Sequence, residues 1–591
     1  MAAERDHERE REVEQTTGVW RRLRPDWLAN YRPALLPQDL VAGVIVAIML
    51  VPQSMAYAIV AGLPPQYGMY ASILPLIAYG ALGTSMTLAV GPAAVTSLMT
   101  ATALTRITEP GSAQYIAGAV LLALLSGCML IAFGVLRFGF LAKLLSNPVI
   151  SGFTSGASLL ILIGQINPLL GLHAHGATAL AQVAALIAAS ASVHWPTALI
   201  GVGAMLLLFF QRKFLAPLAQ MLGADSTAAS LLPKLMPMLV VLLAIALAHA
   251  FHWHERFAVA VVGVIPQGLP HFGWPSGHDL PVVQLLFPAF ALGLINFVSS
   301  ISVAQSLALK RREKIRPDIE LYALGAANVA SALSGSFPVN GGFSRSMVSF
   351  RAGARTPLAG VIAALLMALV VAQFTTIFTA LPRAVLAATI IVAVAPVIDV
   401  GAFFRAWRYD RADAFALGAS ALGVIVFGVE AGIAIGIGVS LATLVWRSSN
   451  PHIAVLGRIP FSEHFRNITR YQTETFAHVL ALRIDENLLF ANAQAVEERV
   501  RTELAERPDV RHVIVVLSSV SQIDATSIDM LVELNAHLRA RGIDFNFSEI
   551  KGPVLERLQK SRLLEQLTGK IYLTTHQAFL DFAGETEDYV I

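Results

Sequence analysis

Long apolar runs separated by charged or Pro/Gly-rich breaks fill most of the chain. Fourteen can be marked, at about 39–60, 69–84, 91–105, 115–136, 147–171, 195–211, 234–251, 283–307, 319–336, 343–351, 357–375, 383–398, 411–428 and 429–446. A helix needs about 20 apolar residues to cross ~30 Å of hydrocarbon, and most of these runs approach that length. The Ala-rich stretch 176–193 reads as an interfacial segment. Two runs are short: Ala93–Leu104 has 12 residues and Phe343–Phe350 has 8. As helices they would reach only roughly 18 and 12 Å.

These short runs are the third and tenth of fourteen. Each follows a helix-disfavouring stretch, "LAVGP" or "FPVNGG". Because seven is odd, matched positions in two sevens insert in opposite senses. The pattern therefore predicts an α-helical polytopic membrane protein, a 7+7 inverted repeat whose third and tenth segments are half-helices starting inside the membrane. Gly/Pro-interrupted segments at matching positions point to a transporter's midplane site. Each would present unpaired N–H groups and a positive dipole end there, a cradle for an anion.

From about residue 460 the period changes. "HVLALRI" and "HVIVVL" read as strands, and 493–506, 526–541 and 552–560 as helices, an α/β domain. In 526–541 one face carries Ile528, Leu531, Val532 and Leu538.

Composition agrees. The 591 residues are 55% hydrophobic and only 14% charged, too few ionic groups to cover a soluble protein of this size. Residues 1–38 carry 14 charges, 39–446 carry 31 and 447–591 carry 36. The expected organisation is an N-terminal segment 1–38, a transmembrane domain 39–446, a linker 447–465 and a soluble domain 466–591. The net +3 divides into 0, +7 and −4, so no block is basic enough to bind nucleic acid. Cys128 is the single cysteine, which leaves no disulfide framework or cysteine zinc site. Met1–Gln15 alternates acids and arginines without an apolar core, unlike a signal peptide, and is expected to extend into the cytoplasm. With the N-terminus inside, inside loops collect fifteen basic residues and outside loops three, which predicts both termini cytoplasmic in a cell (inner) membrane.

One basic residue belongs to neither side. Arg345 sits two residues into the second half-helix, in "GGFSRSM", flanked by Ser344 and Ser346. An arginine at membrane depth costs about 2.5–3.5 kcal/mol on insertion scales, which makes it a candidate for attracting an anion. The alternatives are snorkelling or pairing with a distant carboxylate. In the first run Pro52 breaks the helix, Gln53 stands at the break and Tyr57 lies one turn on. Gln53 is suited equally to an oxyanion or to the carbonyls freed by Pro52; Tyr57 alone reads first as packing. The run "HAFHWH" (His249, His252, His254) has no accompanying cysteine and little acid, and reads as interfacial rather than as a metal site. No P-loop, nucleophile elbow or metal-ligand set is present, so no enzymatic activity, cofactor or metal is predicted.

The segment "VPQSMAYAIVAGLPPQYGMYASILPLIAYGALGTS…LAVGPAAVTSLM" closely resembles the signature region of the sulfate permease (SulP) family, solute carrier family 26. "LYALGAANVASALSGSFPVNGGFSRSMV" resembles its second block. The resemblance covers about residues 25–585. It implies the uracil-permease-like fold with core and gate domains, a homodimer embedded in lipid, and an inorganic anion held between the half-helices. Carried over, the site uses Gln53, Tyr57, Ala93, Ala94, Phe343, Ser344 and Arg345. The Pro-Gln-x-x-Ala-Tyr form resembles sulfate-type members; bicarbonate or chloride is the alternative substrate, and a membrane-anchored signalling protein the rival class. Gln53 and Ser299 stand where many prokaryotic relatives carry acids, so the usual coupling carboxylates are missing, and Asp39, Glu320 and Glu430 near segment ends are poor substitutes. "VSQIDATSIDML" resembles the loop of the STAS domain, which is phosphorylated on a hydroxyl after Asp in small regulators. That position falls at Thr526, with Ser527 adjacent. The competing reading makes Thr526 a helix N-cap with Asp529 three residues on.

Overall fold

The structure, a computed structural model, describes residues 26–29, 31–143, 147–174, 179–221, 226–273 and 281–583. The charged segment Met1–Gln15 lies outside these residues. The chain divides into two compact units, Met1–Ser440 and Leu441–Ile591.

The first half of the membrane unit begins with α1 Leu36–Val60 and a broken second span, α2 Pro65–Tyr70 with α3 Leu74–Leu82. Strand β1 Val90–Gly91 leads into α4 Ala94–Leu104, followed by α5 Ala113–Val135 and α6 Asn147–Leu170. A short helix, α7 Ala179–Ala188, precedes α8 Trp195–Met221 and α9 Ser226–Ala250. The second half repeats the scheme with α10 Val282–Arg311, α11 Pro317–Leu333, β2 Asn340–Gly341 and α12 Phe343–Arg351. It ends with α13 Leu358–Gln373, α14 Arg383–Val394, α15 Val400–Tyr409, α16 Arg411–Phe427 and α17 Val429–Ser449.

All fourteen apolar runs appear as helix, at close to the expected bounds. Among the described residues only five helices pass as spans by length and apolarity alone. The others are short, broken or partly polar. The segment read as interfacial, now Ala179–Ser192, bends 119° from the helix that follows it. Helix α15 was not expected. It is amphipathic, starts on the Asp399 carboxylate, which accepts from Ala402 N at 2.8 Å, and carries Arg408 in its last turn. It lies between spans twelve and thirteen, the place that α7 holds between spans five and six.

Packing follows the same shift of seven. Helix α1 packs on α13 as α10 packs on α5; α3 packs on α13 as α11 packs on α5; α8 packs on α14 as α16 packs on α6. Each half-helix touches the first helix of both halves. In the last pair of spans, Gly432 lets the backbones meet, since a Cβ there would lie 2.4 Å from Val424 N.

The second unit is a mixed six-stranded sheet in the order β4-β3-β5-β6-β7-β8. Its strands are β3 Ile453–Arg458, β4 Phe465–Asn467, β5 Val479–Ile484, β6 His512–Val516, β7 Asp544–Ser548 and β8 Ile571–Tyr572. Strands β5 to β8 are parallel, and β3 is antiparallel to both neighbours. Helices α18 Ala493–Glu506, α19 Ala525–Ala540 and α20 Gly552–Gln559 share one core with the sheet through Val496, Val500, Leu531, Leu534, Val554 and Leu558. Helix α21 Thr575–Ala583 covers the other face with Ala578 and Phe579. Strand β3 occupies part of 447–465, read above as linker; its alternation of Ala454, Val455 and Leu456 between the two cores is short enough to pass for a connector.

Candidate functional site: two half-helices and a buried arginine

The half-helices are held together by their own backbones. Strands β1 and β2 pair antiparallel, Val90 opposite Gly341 and Gly91 opposite Asn340. Each then turns directly into its helix. The N-cap residues are Ala93 and Gly342, neither of which offers a side-chain acceptor. The first intrahelical bonds are those of Ser97 N to Ala93 O and Ser346 N to Gly342 O. The N–H groups of Ala94, Val95 and Thr96, and of Phe343, Ser344 and Arg345, therefore have no intrahelical partner.

Between these two positive ends lies Arg345, only 3% exposed. Its Nη1 donates to Pro92 O at 2.5 Å and Nη2 to Asn340 O at 3.4 Å, while Nε is buried with no partner. Among the described residues no carboxylate pairs with it. The guanidinium thus bridges the two halves through carbonyls and keeps its charge uncompensated. Two glycines make room for it: a Cβ on Gly91 would lie 3.0 Å from Nη1, and one on Gly342 would lie 3.0 Å from Nη2.

A polar network fixes the unwound chain before α12. Asn296 Nδ2 and Asn328 Nδ2 both donate to Val339 O, Val339 N donates to Asn328 Oδ1, and Gly341 N donates to Ser300 Oγ. Across the strands Ala89 N donates to Ser346 Oγ. Irregular backbone at membrane depth needs such satisfaction. Four residues of this network, Asn296, Ser300, Asn328 and Ser346, are fully or almost fully buried.

Of the residues expected at the site, Tyr57 is 8% exposed, buried on α1. Gln53, one turn earlier, is also 8% exposed, and its Oε1 has no partner. Ala94 opens α4 and Ala93 caps it. Phe343, 55% exposed, and Ser344, also exposed, open α12. A small, mainly apolar cavity of about 60 Å³ adjoins β2, walled by α4 (Val95), α6 (Ile150, Phe153, Thr154), α10 (Val298, Ser299) and Asn340. Ser299 therefore stands on a cavity wall, its Oγ bonded to Asn296 O at 3.3 Å. Asn340 Oδ1 is buried there without a partner.

Comparison with known proteins now decides the family. A profile of the sulfate permease family matches residues 36–420, and a STAS-domain profile matches 470–578. The chain belongs to the sulfate permease family. It is 33% identical over 93% of its length to "Probable sulfate transporter 4.2" of Arabidopsis thaliana, of which the match covers 82%. It is 32% identical to a probable sulfate transporter of Mycobacterium tuberculosis, over 91% of this chain and 93% of that protein. In fold it is similar to the murine Solute Carrier 26 family member A9 anion transporter in its inward-facing state, at 21% identity with a TM-score of 0.84 over 95% of this chain and 93% of the other. The transmembrane domain of the cyanobacterial bicarbonate transporter BicA matches at 21% identity, with a TM-score of 0.58 over 69% of this chain and 98% of that one. This sulfate permease family member is thus a multi-pass membrane anion transporter with a STAS domain, not an enzyme.

The STAS loop needs one correction. Thr526 is not the cap of α19; Asp524 is, its Oδ1 accepting from Ser527 N at 2.9 Å and its Oδ2 from Phe490 N at 2.6 Å. A carboxylate two residues earlier reaches the N3 amide, so helical geometry already starts at Ala525. Burial pushes the Asp524 carboxyl up, but the N–H bonds from Ser527 and Phe490 outweigh it and hold the group below its ordinary value. Thr526 is exposed in the first turn, whereas Ser527 is fully buried. Among the described residues no group of three or more His, Cys, Asp or Glu side chains is arranged to hold a metal ion.

Sequence reasoning missed Asn340, the Asn296–Ser300–Asn328 network and the two glycines beside the guanidinium. A signal existed: two amides and a serine recurring within otherwise apolar helices have little reason to be there except to bond irregular backbone.

Proposed function

We propose that this transporter carries sulfate, binding it between the starts of α4 and α12 and moving it by alternating access of a core (spans one to four and eight to eleven) against a gate. One observation carries the reading: Arg345 is buried between two uncapped helix N-termini with an unpaired Nε and no carboxylate among the described residues. A cation at the positive end of a helix is repelled unless an anion joins it. A doubly charged tetrahedral oxyanion suits the arrangement, because it accepts from several N–H groups and a guanidinium at once. Gln53 and Tyr57 would complete the shell from α1, with Ala93, Ala94, Phe343 and Ser344 supplying backbone and hydroxyl. The curated relatives bear sulfate-transporter names, which favours that oxyanion. The cavity along α6 and α10 is the approach to it. On this reading the protein works in a cell membrane as a homodimer with both termini cytoplasmic, and Thr526 is the regulatory hydroxyl of the STAS domain.

Labelled sulfate uptake into proteoliposomes tests this. Wild type should show saturable uptake, and Arg345→Ala should lose at least about tenfold in flux. Robust uptake unaffected by the substitution overturns the site. Neither Gln53 nor Ser299 has a carboxyl that could take up and release a proton, so uptake should follow the sulfate gradient; stimulation by an imposed proton or sodium gradient would place coupling elsewhere.

A further inference from the structure

The second unit carries a basic groove unrelated to the transport site. It is lined by His452, Arg466, Asn467, Arg470, Tyr471, Arg483 and Asp485, and has a volume of about 530 Å³ partly open to solvent. That is far more room than one inorganic ion requires. The sheet builds it. Ile453 of β3 pairs with Ile484 of β5, so the next residues out, His452 and Asp485, are cross-strand neighbours at the strand ends. Arg466 comes from the edge strand β4. Asn467 Oδ1 accepts from Thr469 N and Thr469 Oγ1, closing the turn that carries Arg470 and Tyr471.

The acid in the groove is fully engaged. Arg483 Nε donates to Asp485 Oδ1 at 2.5 Å, and His452 Nδ1 lies 2.8 Å from Asp485 Oδ2. Arg466 and Arg470 are exposed, and neither has a carboxylate partner among the described residues. Three arginines against one aspartate leave the lining at a formal +2. Arginine forks facing one space match the oxygens of a phosphate ester.

Chain connectivity says which phosphate. Helix α17 ends at Ser449, three residues before His452. At most ~3.6 Å per residue, the rim of the groove is then within roughly 11 Å of the helix end. The last turn of that helix exposes Leu444, Val445 and Trp446 and carries Arg447. An aromatic residue beside a basic one after an apolar run marks the level of lipid headgroups. At about 1 kcal/mol per basic residue near an anionic surface, a groove at this level concentrates lipid phosphate before any soluble ester. We propose that the groove between β4 and the ends of β3 and β5 is a binding site for the phosphate headgroup of an anionic lipid, with Arg466 and Arg470 as its ligating residues.

Hydrogen exchange on the full-length protein tests this independently of transport. The protein is placed in nanodiscs of phosphatidylcholine alone or with one-third phosphatidylglycerol, and exchange is read over residues 467–475. Phosphatidylglycerol should slow exchange there by about threefold or more. The double variant Arg466→Gln/Arg470→Gln should lose that protection, while Lys560→Gln, which removes one surface charge elsewhere in the unit, should keep it. Equal exchange in both lipids overturns the proposal, as does loss of protection in the Lys560 variant. Glycerol 3-phosphate added to phosphatidylcholine nanodiscs is the second arm: no protection supports the lipid, and equal protection means a soluble phosphate ester is the ligand and overturns it.

Discussion

Among the described residues of the membrane unit three charged side chains are buried, Asp39, Glu320 and Arg345, and the surroundings of Glu320 and Arg345 differ most. Glu320, in the first turn of α11, is fully buried and accepts four hydrogen bonds, from Tyr79 Oη, Thr84 N, Thr84 Oγ1 and Ser85 N. Both its oxygens are occupied. Arg345 is almost as buried, yet it makes one good hydrogen bond and one long one and leaves Nε empty. A buried charge whose bonds are all made within the fold holds the fold together; one left short is held in readiness for something that arrives. Asp39 belongs with Glu320, since it accepts from Arg355 N, Thr356 N and Thr356 Oγ1. Glu320 anchors the loop before β1, and Asp39 anchors the loop after α12. Two of the near-end acids that read as poor coupling groups, Asp39 and Glu320, are thus clamps on the two half-helices.

The largest contrast should appear in stability. Glu320→Ala strands the Thr84 and Ser85 amides and the Tyr79 hydroxyl, and should cost about 3 kcal/mol or more, read as a lower thermal midpoint and poor yield of folded protein. A stable, active Glu320→Ala variant would break the comparison. Next comes geometry at the cradle. Gly342 has ordinary extended angles (φ −77°), so Gly342→Ala carries no backbone strain, but its new Cβ would push on the Arg345 guanidinium. Sulfate flux should fall about fivefold with the thermal midpoint unchanged. Loss of folding instead would mean that the glycine serves packing. In the STAS unit, Asp524→Ala should cost ~1 kcal/mol of that unit's stability in a denaturation measurement, and Thr526→Ala almost nothing. The reverse order would restore Thr526 as the cap. The smallest effect is expected where intuition expects the largest. Arg345→Met should leave stability within about 0.5 kcal/mol of wild type, because few native bonds are lost.

Much of this was readable in the sequence because membrane spans write themselves as apolar runs. The matched short runs announced both half-helices, and Arg345 stood out as the basic residue on neither side of the membrane. What stayed hidden involved contacts between distant positions. Nothing near Glu320 in sequence says that Thr84 will meet it, and Pro92 O finds Arg345 only because β1 and β2 pair. Helix α15 was missed because ten residues with mixed polarity carry no spanning signal. The repeat itself points to it, since the stretch 176–193 reads as interfacial at the matching place. Thr526 reads as a cap because a hydroxyl followed by an acid imitates a capping box, while the true cap, Asp524, lies two residues earlier.

The claim that Arg345 is kept short of partners for an anion is tested most directly by equilibrium binding of labelled sulfate to the purified protein. Wild type should bind saturably, and Arg345→Ala should bind at least about tenfold more weakly while remaining as stable as wild type. Equal binding by both proteins would contradict the account.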